Sequence, residues 1–365
     1  MRACLTIHPL IFILLTLGAV GWVSCVESVS LQAPDEVQSL LIVNGSVTAG
    51  VGQQIIRLGE SQKFGNTVPI PQTGAKVEIV DEDGSKYAFE EVEEGVYAWY
   101  NIDRPITVGD KFFLQFTLAN GNQYQSDIEE ILPAFKVKDI RYEVRTDEIA
   151  NDLGNAVSGK YVDVFIDIDV SQSERPVFLR WETDNFYKFR EVEWPKPPCD
   201  ARVYPSTCYI HDGKMQPEEV LLFDSRDYAK GIVENIWVGR KRLDSTFNQL
   251  GAFLVQQKVI SQPSFEFWED VSSVITQSGD IFDAPPAAVR GNVFNVNNPG
   301  ETVLGFFEAV NIDSATALVF TNDLAPNSVP PACKRIWWRP CDYYAPCLNC
   351  LMIPNSSYKR PTFMP

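Results

Sequence analysis

The chain predicts a mainly β protein. An N-terminal immunoglobulin-like β-sandwich is followed by a second β-rich domain with one notable helix and by a Cys-rich C-terminal tail. Three observations carry this reading. Short runs of period-two alternation recur at regular spacing, divided by Gly, Asn and Asp turn signals. Only one segment, Pro263–Ser278, has apolar residues at helical spacing. Six of the eight cysteines lie from Cys199 onward.

The first strands are read at Ser39–Val47 and Gln53–Leu58. Ala75–Val80 alternates and meets Asp81-Glu-Asp-Gly84, a hairpin turn signal, before Lys86–Phe89 returns. Gly95–Tyr100 follows, and Lys111–Leu118 pairs through Ala119-Asn-Gly-Asn122 with Gln123–Ser126. Seven short strands of this kind fit a β-sandwich over residues 38–135. The Cys…Trp…Cys signature of true immunoglobulin domains is missing, so the reading concerns architecture alone.

Pro133 and the stretch Lys136–Arg145 read as a domain crossing into the unit at residues 136–330. In Tyr161–Val170, the residues Val162, Val164, Ile166, Ile168 and Val170 share one face. Asp163, Asp167 and Asp169 share the other with Tyr161 and Phe165, which reads as a buried face and a wet face. Val177–Trp181, Lys188–Val192, Glu219–Phe223, Arg240–Leu243 and Leu250–Ile260 extend the β pattern. The helix places Phe267, Trp268, Val271, Val274 and Ile275 on one face, with Ser261 or Ser264 to cap its start and Gly279 at C′. Leu304–Val310 and Ala317–Thr321 are late strands, and residues 331–365 form the tail.

The start of the chain gives an address. Arg2 precedes an apolar run, Leu10–Val23, and the small residues Gly21 and Ser24 stand close to Cys25. That is the layout of a secretory leader over residues 1–24. The run is shorter than the ~20 apolar residues that span a bilayer. Val23-Ser-Cys25 resembles a bacterial lipobox, in which the cysteine is acylated and becomes the first mature residue; Trp22 stands where a small aliphatic residue is usual. Residues 25–37 then form a lipidated tether.

Composition narrows the partners. The formal net charge is −17, which opposes nucleic acid and flat binding to an anionic membrane, so the lipid must do the anchoring. With Cys4 lost in the leader and Cys25 acylated, six cysteines remain: Cys199, Cys208, Cys333, Cys341, Cys347 and Cys350. An even number in an exported chain points to disulfides. Cys199 and Cys208, nine apart in a Pro-rich loop, are placed to close a local hairpin. Cys347-Leu-Asn-Cys350 with Cys333 and Cys341 also fits a Cys₄ zinc site or a redox pair; export favours disulfides that staple the tail.

Catalytic signals are sparse. Beyond the leader, His211 is the only histidine, which argues against a serine triad or a multi-histidine metal site and reads as a loop residue. Asp81-Glu-Asp83 lacks the spacing of a calcium loop and reads as a turn. The row Asp163, Asp167 and Asp169 fits a solvated sheet face better than a carboxylate site. Neither a catalytic nor a metal residue is assigned, and no cofactor is expected. Trp337, Trp338, Tyr343 and Tyr344 are candidates for an interface, or pack the tail against the second domain.

Several segments resemble, in order, the DUF4249 lipoproteins of Bacteroidetes. These are Leu40-Leu-Ile-Val-Asn-Gly-Ser-Val47, Ile56-Arg-Leu58, Gly74–Val80 and Glu94-Gly-Val-Tyr97. More specific are Phe267-Trp268, Gly279-Asp-Ile-Phe-Asp-Ala-Pro-Pro286, Gly291-Asn292 and Val303-Leu-Gly-Phe-Phe307. The closing Cys347-Leu-Asn-Cys350 before Arg360-Pro-Thr-Phe363 also resembles the family pattern, with Met364 where tryptophan is common.

The resemblance implies an outer-membrane lipoprotein, on the cell-surface or the periplasmic face, partnered with a TonB-dependent transporter barrel. It also makes Ser314, in Asp313-Ser-Ala315, and Ser245, in Asp244-Ser-Thr246, candidate O-glycosylation sites. The expected function is that of a non-enzymatic binding or accessory subunit in nutrient uptake. A surface glycan- or peptide-processing enzyme using carboxylates, and a structural envelope or adhesion protein, are the alternatives.

Overall fold

The structure, a computed structural model, describes residues 39–62, 68–150, 155–192, 205–215, 219–277, 289–333, 335–336, 339–343 and 346–365. Cys25, Cys199 and Gly279 lie outside these residues, as do Trp337, Trp338 and Tyr344; Tyr343 and Cys341 are described by their backbone alone.

The first strands are β1 (Leu41–Thr48), β2 (Gln53–Glu60), β3 (Ile70–Pro71), β4 (Lys76–Asp81), β5 (Lys86–Glu93), β6 (Val96–Tyr100), β7 (Lys111–Thr117), β8 (Gln123–Ser126) and β9 (Glu129–Glu130). There follow β10 (Val137–Ala150), β11 (Ala156–Asp169), β12 (Phe178–Arg190), β13 (Thr207–Lys214), β14 (Leu221–Asp224), β15 (Ile232–Arg242) and β16 (Leu250–Ile260). The helix α1 (Gln262–Gln277) precedes β17 (Val293–Asn295) and β18 (Val303–Phe320). The tail contributes β19 (Arg335–Ile336), β20 (Arg339–Tyr343) and β21 (Ser356–Ser357). The protein is mainly β with one described α-helix, as the alternation predicts.

Two strands that change partners organise everything. In β5, residues 86–89 pair with β4, while Glu90–Glu93 pair with β6. The N-terminal unit is thereby a sandwich of two linked sheets. Its core lies between Val43, Ile56 and Leu58 on one side and Ile79, Phe112, Leu114 and Phe116 on the other. Each such side chain, fully buried, contributes roughly 1.5–3 kcal/mol. Residues far along the chain complete this core: Val293, Val303 and Phe307 belong to it.

The second switch is β18. Val303–Val310 run parallel to β1, and Asn311–Phe320 pair antiparallel with β16. One 18-residue strand thus belongs to both units. The sequence reading splits it at Asn311–Thr316, and the structure joins it. The polar interruption is satisfied in place: Asp313 accepts the Val137 backbone N–H at 2.8 Å and Asn311 donates to the Leu132 carbonyl at 3.0 Å. Likewise Val177–Trp181 and Lys188–Val192 are parts of the single strand β12 and its exit.

Lys136–Arg145, read as a crossing, is most of the long strand β10. It flanks β11, with β15 on the other side, in a three-stranded sheet. This sheet packs on β18–β16–β12 through Val162, Val164, Ile166, Leu179, Trp181 and Val255. The opposite face of β11 is wet only at its end, where Asp169 is exposed and Asp167 partly so. Asp163 is fully buried under Arg240, whose Nε and Nη2 donate to it at 2.6 and 2.9 Å. Guanidinium groups also lie over Phe165 and Tyr161, so long side chains from β10 and β15 roof the face. Burial raises the Asp163 pKa, but the hydrogen bonds from Arg240 and Trp237 outweigh it and hold the carboxyl ionised.

The tail straddles one sheet edge. β21 pairs with β13 at Tyr209 and Ile210. Cys350 is bonded to Cys208 and Cys347 to Cys333, each with Cα atoms 5.9 Å apart. Cys208 therefore closes no hairpin with Cys199, and Cys347 and Cys350 form neither a redox pair with each other nor part of a Cys₄ zinc site. The physical reason is facing: Cys208 points inward with Ile210, Tyr187 and Phe189, where the tail cysteines arrive. On the other face, Met364 packs on Leu250 and Ala252. Glu191 fastens the wrap by accepting the backbone N–H groups of Ser206 and Cys350, both at 2.9 Å.

Candidate functional site

A cleft of about 450 Å³ opens at the seam where β18 passes from one unit to the other. That size falls within the ~300–1,000 Å³ of small-molecule sites. Strand alternation builds its floor. On β12, Leu179, Trp181 and Thr183 face the core, so Arg180 and Glu182 emerge opposite. Lys258 stands directly across from Arg180 in the β12–β16 register. Glu308 comes from the half of β18 that pairs with β1.

The walls come from both units. Asn44 and Ser46 of β1 line one side, with Arg57 of β2. Phe267 and Trp268 of α1 line another. The start of α1 is set by Ser261, whose Oγ accepts the Ser264 N–H at 3.2 Å, the cap that the sequence predicts. Gly305 lets the seam close. Its φ is +89°, and a Cβ there would lie 1.9 Å from the Val43 carbonyl oxygen.

The floor is one ion network. Arg180 donates through Nη1 to Glu182 at 2.6 Å and through Nη2 to Glu308 at 2.8 Å. Lys258 and Lys214 each donate to Glu182 at 2.5 Å. Glu308 also accepts from Ser264 at 2.5 Å and from Trp268 Nε1 at 2.8 Å. The guanidinium carbon of Arg180 sits 4.2 Å from the Trp268 ring centroid. Burial raises the Glu182 pKa, but the charges of Lys258 and Arg180 overcome it and hold the carboxyl far below its ordinary value. Burial and the Arg180 charge push the Lys258 ammonium down, with Glu182 opposing them. Arg180 Nε is buried and has no hydrogen-bond partner.

Behind this floor lies Glu129 of β9, only 4 % exposed. Burial raises its pKa to about 7 against a hydrogen bond from Ser261, and the Glu308 and Asp127 charges add to the rise. Its Oε2 has no partner.

Of the residues singled out from sequence, Phe267, Trp268, Gly305 and Phe306 of the resemblance motifs line this cleft, while none of the candidate site residues does. His211 stands on β13, not in a loop, bonded to Asp184 at 2.8 Å and stacked on Phe186. Asp81 closes its turn by accepting the N–H groups of Asp83 and Ser85. Ser314 is exposed on β18, in register with Gln256 and through it Glu182. Ser245 is half-buried in a turn where Asp244 accepts the Thr246 N–H. Among the described residues no group of three or more His, Cys, Asp or Glu could hold a metal. The missed residues had one signal in common: charges at Arg180, Glu182, Lys258 and Glu308 inside otherwise apolar strand runs.

Fold and cleft define a class: a tandem β-sandwich protein with a pocket at the seam between its units. The model of a family described as a domain of unknown function, DUF4249, matches residues 26–316, and the chain belongs to that family. None of the curated proteins matches it. Among the described residues no helix is long and apolar enough to cross a membrane.

Proposed function

We propose that this chain is a lipid-tethered binding protein of the outer membrane, serving a TonB-dependent transporter barrel as an accessory subunit in nutrient uptake. The observation that carries the binding role is the seam cleft, with its ion-paired floor and aromatic wall. The leader over residues 1–24, followed by Cys25, supports the tether.

A carboxylate hydrolase needs one acid kept protonated beside the reacting bond and one kept ionised. In the cleft, Glu182 and Glu308 are each tied to Arg180. The carboxyl whose pKa burial raises to about 7, Glu129, is buried and does not line the cleft. This arrangement favours binding over hydrolysis. The test is purification of the tagged chain from detergent-solubilised outer membranes. A barrel recovered in near-equal amount supports the proposal; a chain that repeatedly emerges alone contradicts it.

A further inference from the structure

We propose that the seam cleft takes a compact molecule through a single carboxylate group, held by Arg180 and Lys214, with the rest of the molecule against the aromatic wall. The inference rests on the binding role proposed above and names the chemistry of its ligand.

Charge is the first argument. Around the cleft stand four cations, Arg57, Arg180, Lys214 and Lys258. They face three carboxylates, Glu182, Glu219 and Glu308, leaving one positive charge in excess. The chain as a whole carries −17, so a basic cleft runs against the composition of the molecule. One excess charge matches a monoanion. A dianion such as phosphate would set its second charge against Glu182 and Glu308.

The second argument is an unmet donor. Arg180 is 7 % exposed, and its Nε–H is buried without an acceptor, an arrangement that is costly when left unpaired. Its Nη1 and Nη2 are already engaged by Glu182 and Glu308, which fix the guanidinium plane. Ligand entry that uncovers Nε would let a carboxylate oxygen complete the set in a charge-assisted bond. Lys214 has a half-exposed side chain and one carboxylate partner, so two of its three N–H donors are left for a second ligand oxygen.

The third argument is the body of the ligand. Phe267 packs against Phe306 at 5.1 Å between centroids, and both line the cleft beside Trp268. Such a wall suits the apolar face of a sugar ring or a hydrocarbon side chain. A hexuronic acid and the C-terminus of a short peptide share this chemistry.

Isothermal titration of the full acylated chain in detergent separates the sources. The probes are methyl galacturonide with methyl galactoside as its neutral counterpart, acetyl-Gly-Phe with its amide, and inorganic phosphate. Binding of one carboxylate probe in the micromolar to low-millimolar range is expected, at least tenfold tighter than its neutral counterpart and than phosphate. Lys214→Gln should weaken it several-fold with the fold intact by circular dichroism, and Arg180→Gln should weaken it more. Equal binding of charged and neutral probes, tighter binding of phosphate, or no binding of either carboxylate by the folded chain overturns the proposal. Loss of carboxylate binding with barrel co-purification retained sinks the ligand class alone and leaves the accessory role standing.

Discussion

Arg180 reaches Glu308 across the seam, Nη2 to Oε2 at 2.8 Å. The bond ties a strand of the second unit to the strand that the first unit borrows. Both side chains are over 90 % buried, so neither charge is at ease without the other.

Arg180→Met should therefore destabilise the chain by about 3–5 kcal/mol in urea unfolding, because Glu308 is left buried and less compensated. Pairing it with Glu308→Gln should recover at least about 1 kcal/mol of that loss, since the two residues are in contact and couple. Strict additivity of the two single changes would show that the bond holds nothing together.

Glu129 predicts a pH dependence whose sign follows from burial. Its folded pKa is about 7 against an ordinary 4.5, so the folded chain binds more protons than the unfolded one between those values. Its contribution is whole below pH 4.5 and falls as pH rises to about 7, by about 3 kcal/mol. Glu129→Gln should flatten the fall in stability between pH 5 and 7.5. An unchanged slope would place the titration elsewhere.

The tail prediction concerns covalent order. Non-reducing peptide mapping should yield Cys208–Cys350 and Cys333–Cys347 links. Cys350→Ser should cost about 2–5 kcal/mol, as removing a native disulfide does, and should expose the segment after Pro346 to limited proteolysis. A Cys199–Cys208 link, or a tail that stays protected in the variant, would contradict the wrap around β13.

Gly305→Ala tests the seam itself. The added Cβ would sit 1.9 Å from the Val43 oxygen at a φ of +89°, so β18 cannot keep its register with β1. Loss of cooperative unfolding, or a drop of more than about 3 kcal/mol, is expected. Wild-type stability would mean the two strands are not held as the register requires.

Local pattern made much of the fold legible. Alternation in Ala75–Val80, Lys111–Leu118 and Tyr161–Val170 marks β4, β7 and β11, and helical spacing with a serine cap marks α1. What stayed hidden is non-local. Arg180 and Lys258 meet because β12 and β16 pair, and Glu308 joins them because β18 serves two sheets. Spacing also misled at Cys208, whose nine-residue neighbour Cys199 looked the natural partner while its inward face selected Cys350, 142 residues on. Of the β11 aspartates read as wet, Asp169 is exposed, but Asp163 was misjudged for the same cause, since Arg240 comes from a strand 77 residues later.

The proposed role needs a chain tethered to the membrane through an acylated Cys25. Labelling cells with radioactive palmitate and fractionating their envelopes tests this directly. The wild-type chain should carry label in the outer-membrane fraction, and Cys25→Ser should be unlabelled and found in the soluble fraction. Label retained by Cys25→Ser, or an unlabelled wild-type chain, would contradict it.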